Sequence, residues 1–85
     1  MALHLLDCLR GTQRALIVTA HGTACIAVRE LVADLHRYAP IQLIALDGIA
    51  TPRLIDAARR AGCALILARL GEPGNYDGVE VRVEP

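Results

Sequence analysis

Two short runs of apolar residues decide the fold of this chain: Ile41-Gln42-Leu43-Ile44-Ala45-Leu46 and Cys63-Ala64-Leu65-Ile66-Leu67-Ala68. Both runs are almost wholly apolar, and both are short. This pattern is typical of β-strands that are buried on both faces, and such strands occur mainly in parallel sheets. We therefore expect the two runs to be strands in the interior of a sheet.

A helical pattern separates the two runs. Thr51-Pro52 is a typical helix start, because threonine caps a first turn well and proline suits the first helical position. Leu54, Ile55 and Ala58 follow at helical spacing, and Gly62 marks the end. A strand, a helix and a strand in succession favour a right-handed crossover, in which the two strands are parallel.

The rest of the chain places further strands and helices around this unit. The dipeptide His21-Gly22 is a turn signal between two strands, which predicts a hairpin. The last strand alternates apolar and polar residues, as an edge strand or a strand with one buried face does. We expect an α/β fold with a small mixed sheet, containing the hairpin and one parallel strand-helix-strand unit, in the order α-β-β-α-β-α-β-β. The added elements are helices over residues 2–10 and 28–38 and strands over residues 14–20, 23–28 and 79–83.

Length and composition limit the class of protein. A chain of 85 residues is too short for two cores, so we expect one domain over residues 1–85. Its hydrophobic fraction is 54% and its formal net charge is zero, which excludes a disordered chain and a strongly basic coat on nucleic acid. No stretch long enough to cross a bilayer is free of charged residues, so we expect no membrane association.

Export signals and disulfide patterns are not visible in the sequence. The first residues carry neither a basic region nor a small-residue cleavage site. The three cysteines are an odd number, and no two of them form a CxxC pair. We expect a cytoplasmic protein with reduced thiols.

The segment after the first apolar run is the strongest candidate for a binding site. It reads Asp47-Gly48-Ile49-Ala50-Thr51-Pro52-Arg53 and joins the carboxyl end of a strand to a helix start, where α/β sheets bind ligands. Free N–H groups at that helix start could hold an anion. The alternative is structural: Asp47 caps N–H groups of its own turn, and Thr51 caps the helix.

Arginine residues suggest a second way to bind an anion. All nine basic residues of the chain are arginine. Arg53, Arg59, Arg60 and Arg69 could form one basic face for RNA or phosphate, and the alternative is a solvated surface. The chain has only two aromatic residues, so binding of single strands by base stacking is poorly supported. The candidate anion or nucleic-acid site therefore consists of Asp47, Gly48, Thr51, Arg53 and Arg69.

Groups that could support catalysis or metal binding are few. His21 and Cys25 flank the predicted hairpin turn without an orienting carboxylate nearby in sequence. His4 and Cys8 could face one side of the first helix, but two ligands do not close a zinc site. No nucleotide fingerprint is present. We expect no catalytic residues, no metal and no cofactor.

The first predicted helix offers an apolar face. Leu5, Leu6 and Leu9 recur at helical spacing, and a small domain this rich in apolar residues can leave such a face for a partner. We expect a protein partner or self-association there. The candidate partner surface consists of Leu3, Leu5, Leu6 and Leu9.

Several segments together resemble one family. The pattern Asp47-Gly48-x-x-Thr51-x-Arg53-Leu54-Ile55-Asp56 is followed by Gly62, a strand and Ala68-Arg69-Leu70-Gly71. Upstream, Gly11-Thr12 precedes the hairpin and Val28-Arg29-Glu30-Leu31-Val32 opens a helix. With these features, residues 11–83 resemble the C-terminal domain of the archaeal DnaG-like primases. Pro52 departs from that pattern, because the family usually has glutamine there.

The resemblance implies an accessory role and not a primase. The polymerising centre of the family lies in a central Toprim domain, and a further N-terminal region is linked to the archaeal RNA exosome; the chain contains neither. The chain would be a free-standing relative or a piece of a longer protein. The resemblance implies a non-catalytic interaction module that acts in DNA replication or RNA processing through protein partners. An anion- or RNA-binding module is the alternative, and a residual phosphoryl-transfer enzyme comes third, since the carboxylates for Mg²⁺ are missing.

Overall fold

The structure is a computed structural model, and it describes Leu9 and residues 11–84. The predicted α/β class with a small mixed sheet is confirmed. The predicted first helix, over residues 2–10, lies outside the described residues except for Leu9. The described elements are β1 (Arg14–Thr19), β2 (Gly22–Ala27), α1 (Val28–Asp34), a 3₁₀ turn (Leu35–Tyr38), β3 (Leu43–Ile49), α2 (Pro52–Arg60), β4 (Leu65–Leu70), β5 (Gly74–Tyr76) and β6 (Val79–Val83).

Six strands form one sheet in the order β2-β1-β3-β4-β6-β5. The hairpin of β1 and β2 is antiparallel, and β1 also pairs antiparallel with β3. Strands β3 and β4 are parallel, as the apolar runs and the helix between them predict. Strand β6 pairs parallel with β4, and its outer side is covered by β5. The sheet is therefore mixed, with its parallel part at the centre.

Both helices pack on one face of the sheet. Ile44 and Leu46 of β3 point to this face, where they meet Leu31 of α1 and Leu54 of α2 in the main core. The opposite face carries a smaller core around Ala45 and Leu67, because successive side chains of a strand point to opposite faces. The middle residues of β3 and β4 are accordingly buried on both sides.

The smaller core contains Leu9, one of the leucines expected to form an exposed partner surface. Leu9 is 6% exposed and packs with Ala45 and Leu67. Leu9 therefore belongs to the interior of the domain and does not offer a docking surface. The other three leucines of that surface, Leu3, Leu5 and Leu6, lie outside the described residues.

Several element boundaries differ from the sequence prediction. The helix expected to continue to Tyr38 changes to a 3₁₀ turn after Asp34. Strand β3 does not close at Asp47-Gly48 but continues to Ile49 across an irregularity in its pairing with β4. Strand β5 is not among the strands predicted from the sequence, because three residues are too few to show an apolar period. None of the helices in the described part of the chain has the length and apolar character needed to cross a membrane.

Candidate functional site at the carboxyl ends of the parallel strands

The two central parallel strands end together at one edge of the sheet. Ile49 at the end of β3 is in register with Leu70 at the end of β4. The backbone N–H of Ala50 donates to the carbonyl oxygen of Leu70 over 3.0 Å, so the two chains stay joined just beyond the strands. Helix α2 begins two residues later at Pro52. This is the edge at which the sequence predicts a binding site.

Asp47, the central residue of the predicted site, is held by two partners. Its Oδ1 accepts a hydrogen bond from Nη1 of Arg69 over 3.1 Å, and its Oδ2 accepts one from the backbone N–H of Gln13 over 2.8 Å. Its side chain is 9% exposed, and that of Arg69 is 27% exposed. The predicted cap on the Asp47-Gly48 turn is therefore not what the structure shows, because the backbone partner of Asp47 belongs to the segment before β1.

The contact between the Asp47 carboxylate and the N–H of Gln13 stabilises an unusual backbone conformation. Gln13 has a φ of +54°, in the left-handed region that residues other than glycine seldom adopt. Its carbonyl oxygen accepts from the N–H of Val28 over 3.0 Å, so both of its backbone groups are engaged. Asp47 thus fixes the start of β1 against the end of β3.

Thr51 has the structural role that the sequence suggests. Its Oγ1 accepts a hydrogen bond from the N–H of Leu54 over 3.2 Å, and Pro52 follows at the first helical position. The hydroxyl therefore satisfies one of the free donors of the first turn of α2.

The four arginines expected to form one basic face do not lie on one surface. Ala68 of β4 packs against the helices, so its neighbour Arg69 points to the opposite face of the sheet, where it meets Asp47. Asp56 of α2 pairs with Arg59 and with Arg60, the latter over 3.1 Å. A single face that joins the arginines of α2 to Arg69 is not formed.

A cleft of about 600 Å³ brings together part of the predicted site. Asp47, Gly48 and Thr51 line it, whereas Arg53 and Arg69 do not. The positive side chains along this cleft are Arg14 and Arg29, which are not among the site residues predicted from the sequence. Neither forms an ion pair with another described residue. Their positions follow from the hairpin, which carries the start of β1 and the end of β2 to this edge.

A second cleft, of about 590 Å³, lies on the other side of the end of β3 and has mainly apolar walls. Beside it, Ile49 is 53% exposed and Leu70 is 57% exposed. They are the exposed large hydrophobic residues of the described chain. Ile49 lies within the segment predicted to bind a ligand, but it is not among the site residues predicted from the sequence. The cleft is lined by Ile49, Ala50, Thr51, Pro52, Ile55, Asp56, Arg59, Gly71, Glu72, Tyr76 and Asp77.

The remaining candidate groups do not assemble. Cys25 is exposed on β2, and His21 is exposed in the hairpin turn. Cys63 is buried, and that burial raises the pKa of its thiol. His4 and Cys8 lie outside the described residues. Within residues 11–84 and Leu9, no three His, Cys, Asp or Glu side chains are grouped so that they could hold a metal ion.

Comparison with known proteins adds no relative. No protein-family model matches the chain, and neither a curated protein nor a solved structure matches it. The resemblance to the C-terminal domain of the DnaG-like primases therefore stays a prediction from the residues that carry it.

Proposed function

We propose that the chain is a non-catalytic interaction module, related to the C-terminal domain of archaeal DnaG-like primases, that acts in the cytoplasm through a protein partner in DNA replication or RNA processing. The observation that supports this proposal is the pair Ile49 and Leu70. These two aliphatic residues lie in register on neighbouring strand ends, and both are more than half exposed. Ile49 lines a cleft with mainly apolar walls, and Leu70 directly precedes Gly71, which also lines it.

The energetics of this edge favour binding of a protein. Covering a large aliphatic side chain completely is worth about 1.5–3 kcal/mol, so covering the exposed halves of Ile49 and Leu70 would contribute on the order of 1 kcal/mol each. A small number of well-packed residues carries most of the energy in a protein interface, so two such contacts would be enough to matter. Two polar groups of the predicted site at this edge are already engaged, since Asp47 is paired with Arg69 and Thr51 caps α2.

A selection experiment tests this proposal. A random peptide library is selected on the immobilised wild-type chain, and the enriched peptides are then titrated against Ile49→Asp with Leu70→Asp. We expect the affinity to fall at least about tenfold, because a carboxylate cannot enter an apolar contact without losing its hydration. Thr23→Asp with Gln42→Asp is the control for added charge, since both residues are exposed and neither lines this cleft. Unchanged affinity in the Ile49 and Leu70 variant would contradict the proposal.

Binding of an anion or RNA is the second candidate, and the cleft between Arg14 and Arg29 favours it. Both arginines line that cleft, and neither is paired with a carboxylate among the described residues. A fluorescent single-stranded RNA, titrated at two salt concentrations, tests it by anisotropy. An affinity that falls steeply with salt would favour this function, provided that Arg14→Ala with Arg29→Ala removes the binding. The control, Arg37→Ala with Arg60→Ala, should keep it, because both arginines are exposed and neither lines the cleft. A flat titration would contradict it.

A further inference from the structure

The apolar cleft beside Ile49 has an acidic rim. Four charged residues line it, of which three are acidic: Asp56, Glu72 and Asp77. The fourth, Arg59, pairs with Asp56. Glu72 and Asp77 form no ion pair with any described residue. The rim therefore presents two carboxylates that a bound cationic group could neutralise.

Local contacts hold this acidic side of the rim in place. Glu72 belongs to the loop after β4, and Asp77 lies in the turn between β5 and β6. The hydroxyl of Tyr76 donates to the backbone carbonyl oxygen of Glu72 over 2.9 Å, which joins the loop to the end of β5, next to Asp77. At the foot of the loop, Gly71 lies so close to Ala50 that an added Cβ would be 3.3 Å from the Ala50 Cβ. These contacts hold the segment that carries Glu72 and Asp77, so the two carboxylates border the same cleft.

We propose that this cleft binds a short extended segment of a partner protein, in which aliphatic residues are flanked by lysine or arginine. This inference rests on the proposed function, which makes this edge of the sheet a protein-binding surface. The aliphatic residues of the segment cover Ile49 and the apolar wall formed by Pro52 and Ile55, and its cationic residue meets Glu72 and Asp77. The cleft is partly open to solvent. A partly open cleft suits a chain segment better than a small molecule, whose sites enclose most of the ligand.

Two synthetic peptides test the charge of the occupant. Both are nonamers with the same central aliphatic run, one flanked by arginines and the other by glutamates, and both carry the same fluorophore. Anisotropy titrations with the wild-type chain are expected to show about tenfold tighter binding of the arginine peptide at low salt. That preference shrinks as salt is added, because exposed charges are screened.

Neutral variants locate the preference on the rim. Glu72→Gln with Asp77→Asn removes both charges at nearly constant shape, and asparagine tolerates the φ of +54° at position 77. We expect the two peptides to bind this variant with nearly equal affinity. The matched control is Glu30→Gln with Glu80→Gln, which removes two exposed carboxylates that do not line the cleft. The control should keep the preference for the arginine peptide.

The outcomes separate this inference from the proposed function. If both peptides bind the wild-type chain equally and both are lost in Ile49→Asp with Leu70→Asp, the charged partner is wrong and the protein-binding edge remains. If neither peptide binds, the inference is overturned, while the library selection decides the proposed function on its own. Sedimentation velocity adds a third outcome. A wild-type dimer that becomes a monomer in the Ile49 and Leu70 variant would show that a second copy of the chain occupies the cleft, which also overturns the inference.

Discussion

Asp47 and Arg69 join the carboxyl ends of the two central parallel strands through one ion pair, with Nη1 of Arg69 3.1 Å from Oδ1 of Asp47. The other carboxylate oxygen accepts from the N–H of Gln13. A single side chain therefore connects β3, β4 and the segment before β1. The Asp47 side chain is only 9% exposed. If either partner were removed, water could therefore not easily take its place beside the carboxylate.

Removing this carboxylate should destabilise the fold. We expect Asp47→Ala to lower the free energy of unfolding by about 2 kcal/mol, because it leaves Arg69 without its partner and the Gln13 N–H without its acceptor. Arg69→Met should also destabilise the chain, because it leaves the almost covered Asp47 carboxylate without its cationic partner. Urea unfolding of the two single variants and the double variant measures the coupling, which we expect to be about 1 kcal/mol. Strictly additive losses would show that the ion pair contributes nothing.

Asp47→Asn separates the two contacts of this carboxylate. An asparagine oxygen can still accept from the N–H of Gln13, but it cannot form the ion pair with Arg69. We expect the free energy of unfolding of Asp47→Asn to lie between that of the wild-type chain and that of Asp47→Ala. A loss as large as that of Asp47→Ala would place the whole contribution in the ion pair.

Thr51 should contribute to stability as a helix cap. We expect Thr51→Ala to lower the free energy of unfolding by about 1 kcal/mol, because the N–H of Leu54 then loses its acceptor. Thr51→Ser keeps the hydroxyl and should restore most of that loss. Thermal unfolding followed by circular dichroism measures both variants. If Thr51→Ala left the free energy of unfolding unchanged, the Thr51 hydroxyl would not be needed as a helix cap. In the wild-type chain it would then be free to bind a ligand.

Alanine substitutions at Gly71 and Gly22 separate two effects on stability. One is the cost of a close contact with the added Cβ, and the other is the cost of holding a positive φ. Both have a positive φ, +131° at Gly71 and +142° at Gly22. An added Cβ at Gly71 would lie 3.3 Å from the carbonyl oxygen of Ala50, whereas at Gly22 it would meet nothing within 4 Å. We expect Gly71→Ala to destabilise the chain by about 1 kcal/mol more than Gly22→Ala in urea unfolding. Equal losses would show that the loop at Gly71 moves away from Ala50 without cost.

Apolar patterning was enough to predict the centre of the fold. The runs ending at Leu46 and Ala68 are buried on both faces, as their composition indicates, and the helix between them makes them parallel. The pattern could not show where β3 ends. Asp47-Gly48 is a common turn sequence, yet here it lies inside a strand, where the pairing with β4 is irregular and Gly48 lies against α1. A tertiary contact therefore decided this boundary.

The candidate site was only partly predictable for a similar reason. Placing Arg69 with the arginines of α2 requires knowing which face of β4 it occupies, and a difference of one residue sends a side chain to the opposite face. Arg14 and Arg29 reach the Asp47 cleft only because the hairpin folds back beside β3. The sequence predicts Leu9 on an exposed helical face, because the sequence does not show that Leu9 packs against Ala45 and Leu67 on the face of the sheet opposite the helices.

The buried thiol of Cys63 should make stability depend on pH in the alkaline range. Burial raises its pKa above the ordinary value near 9, so the unfolded chain loses this proton more readily than the folded chain. Above about pH 8.5 the folded state therefore binds more protons, and the free energy of unfolding falls as pH rises, by at most about 1.4 kcal/mol per pH unit from this group. Urea unfolding between pH 7 and 10 should show this fall in the wild-type chain and a smaller one in Cys63→Ala. The exposed Cys25 provides the control, because Cys25→Ala should keep the wild-type dependence. Equal slopes in all three proteins would show that ionisation of the Cys63 thiol does not contribute to the fall in stability with pH.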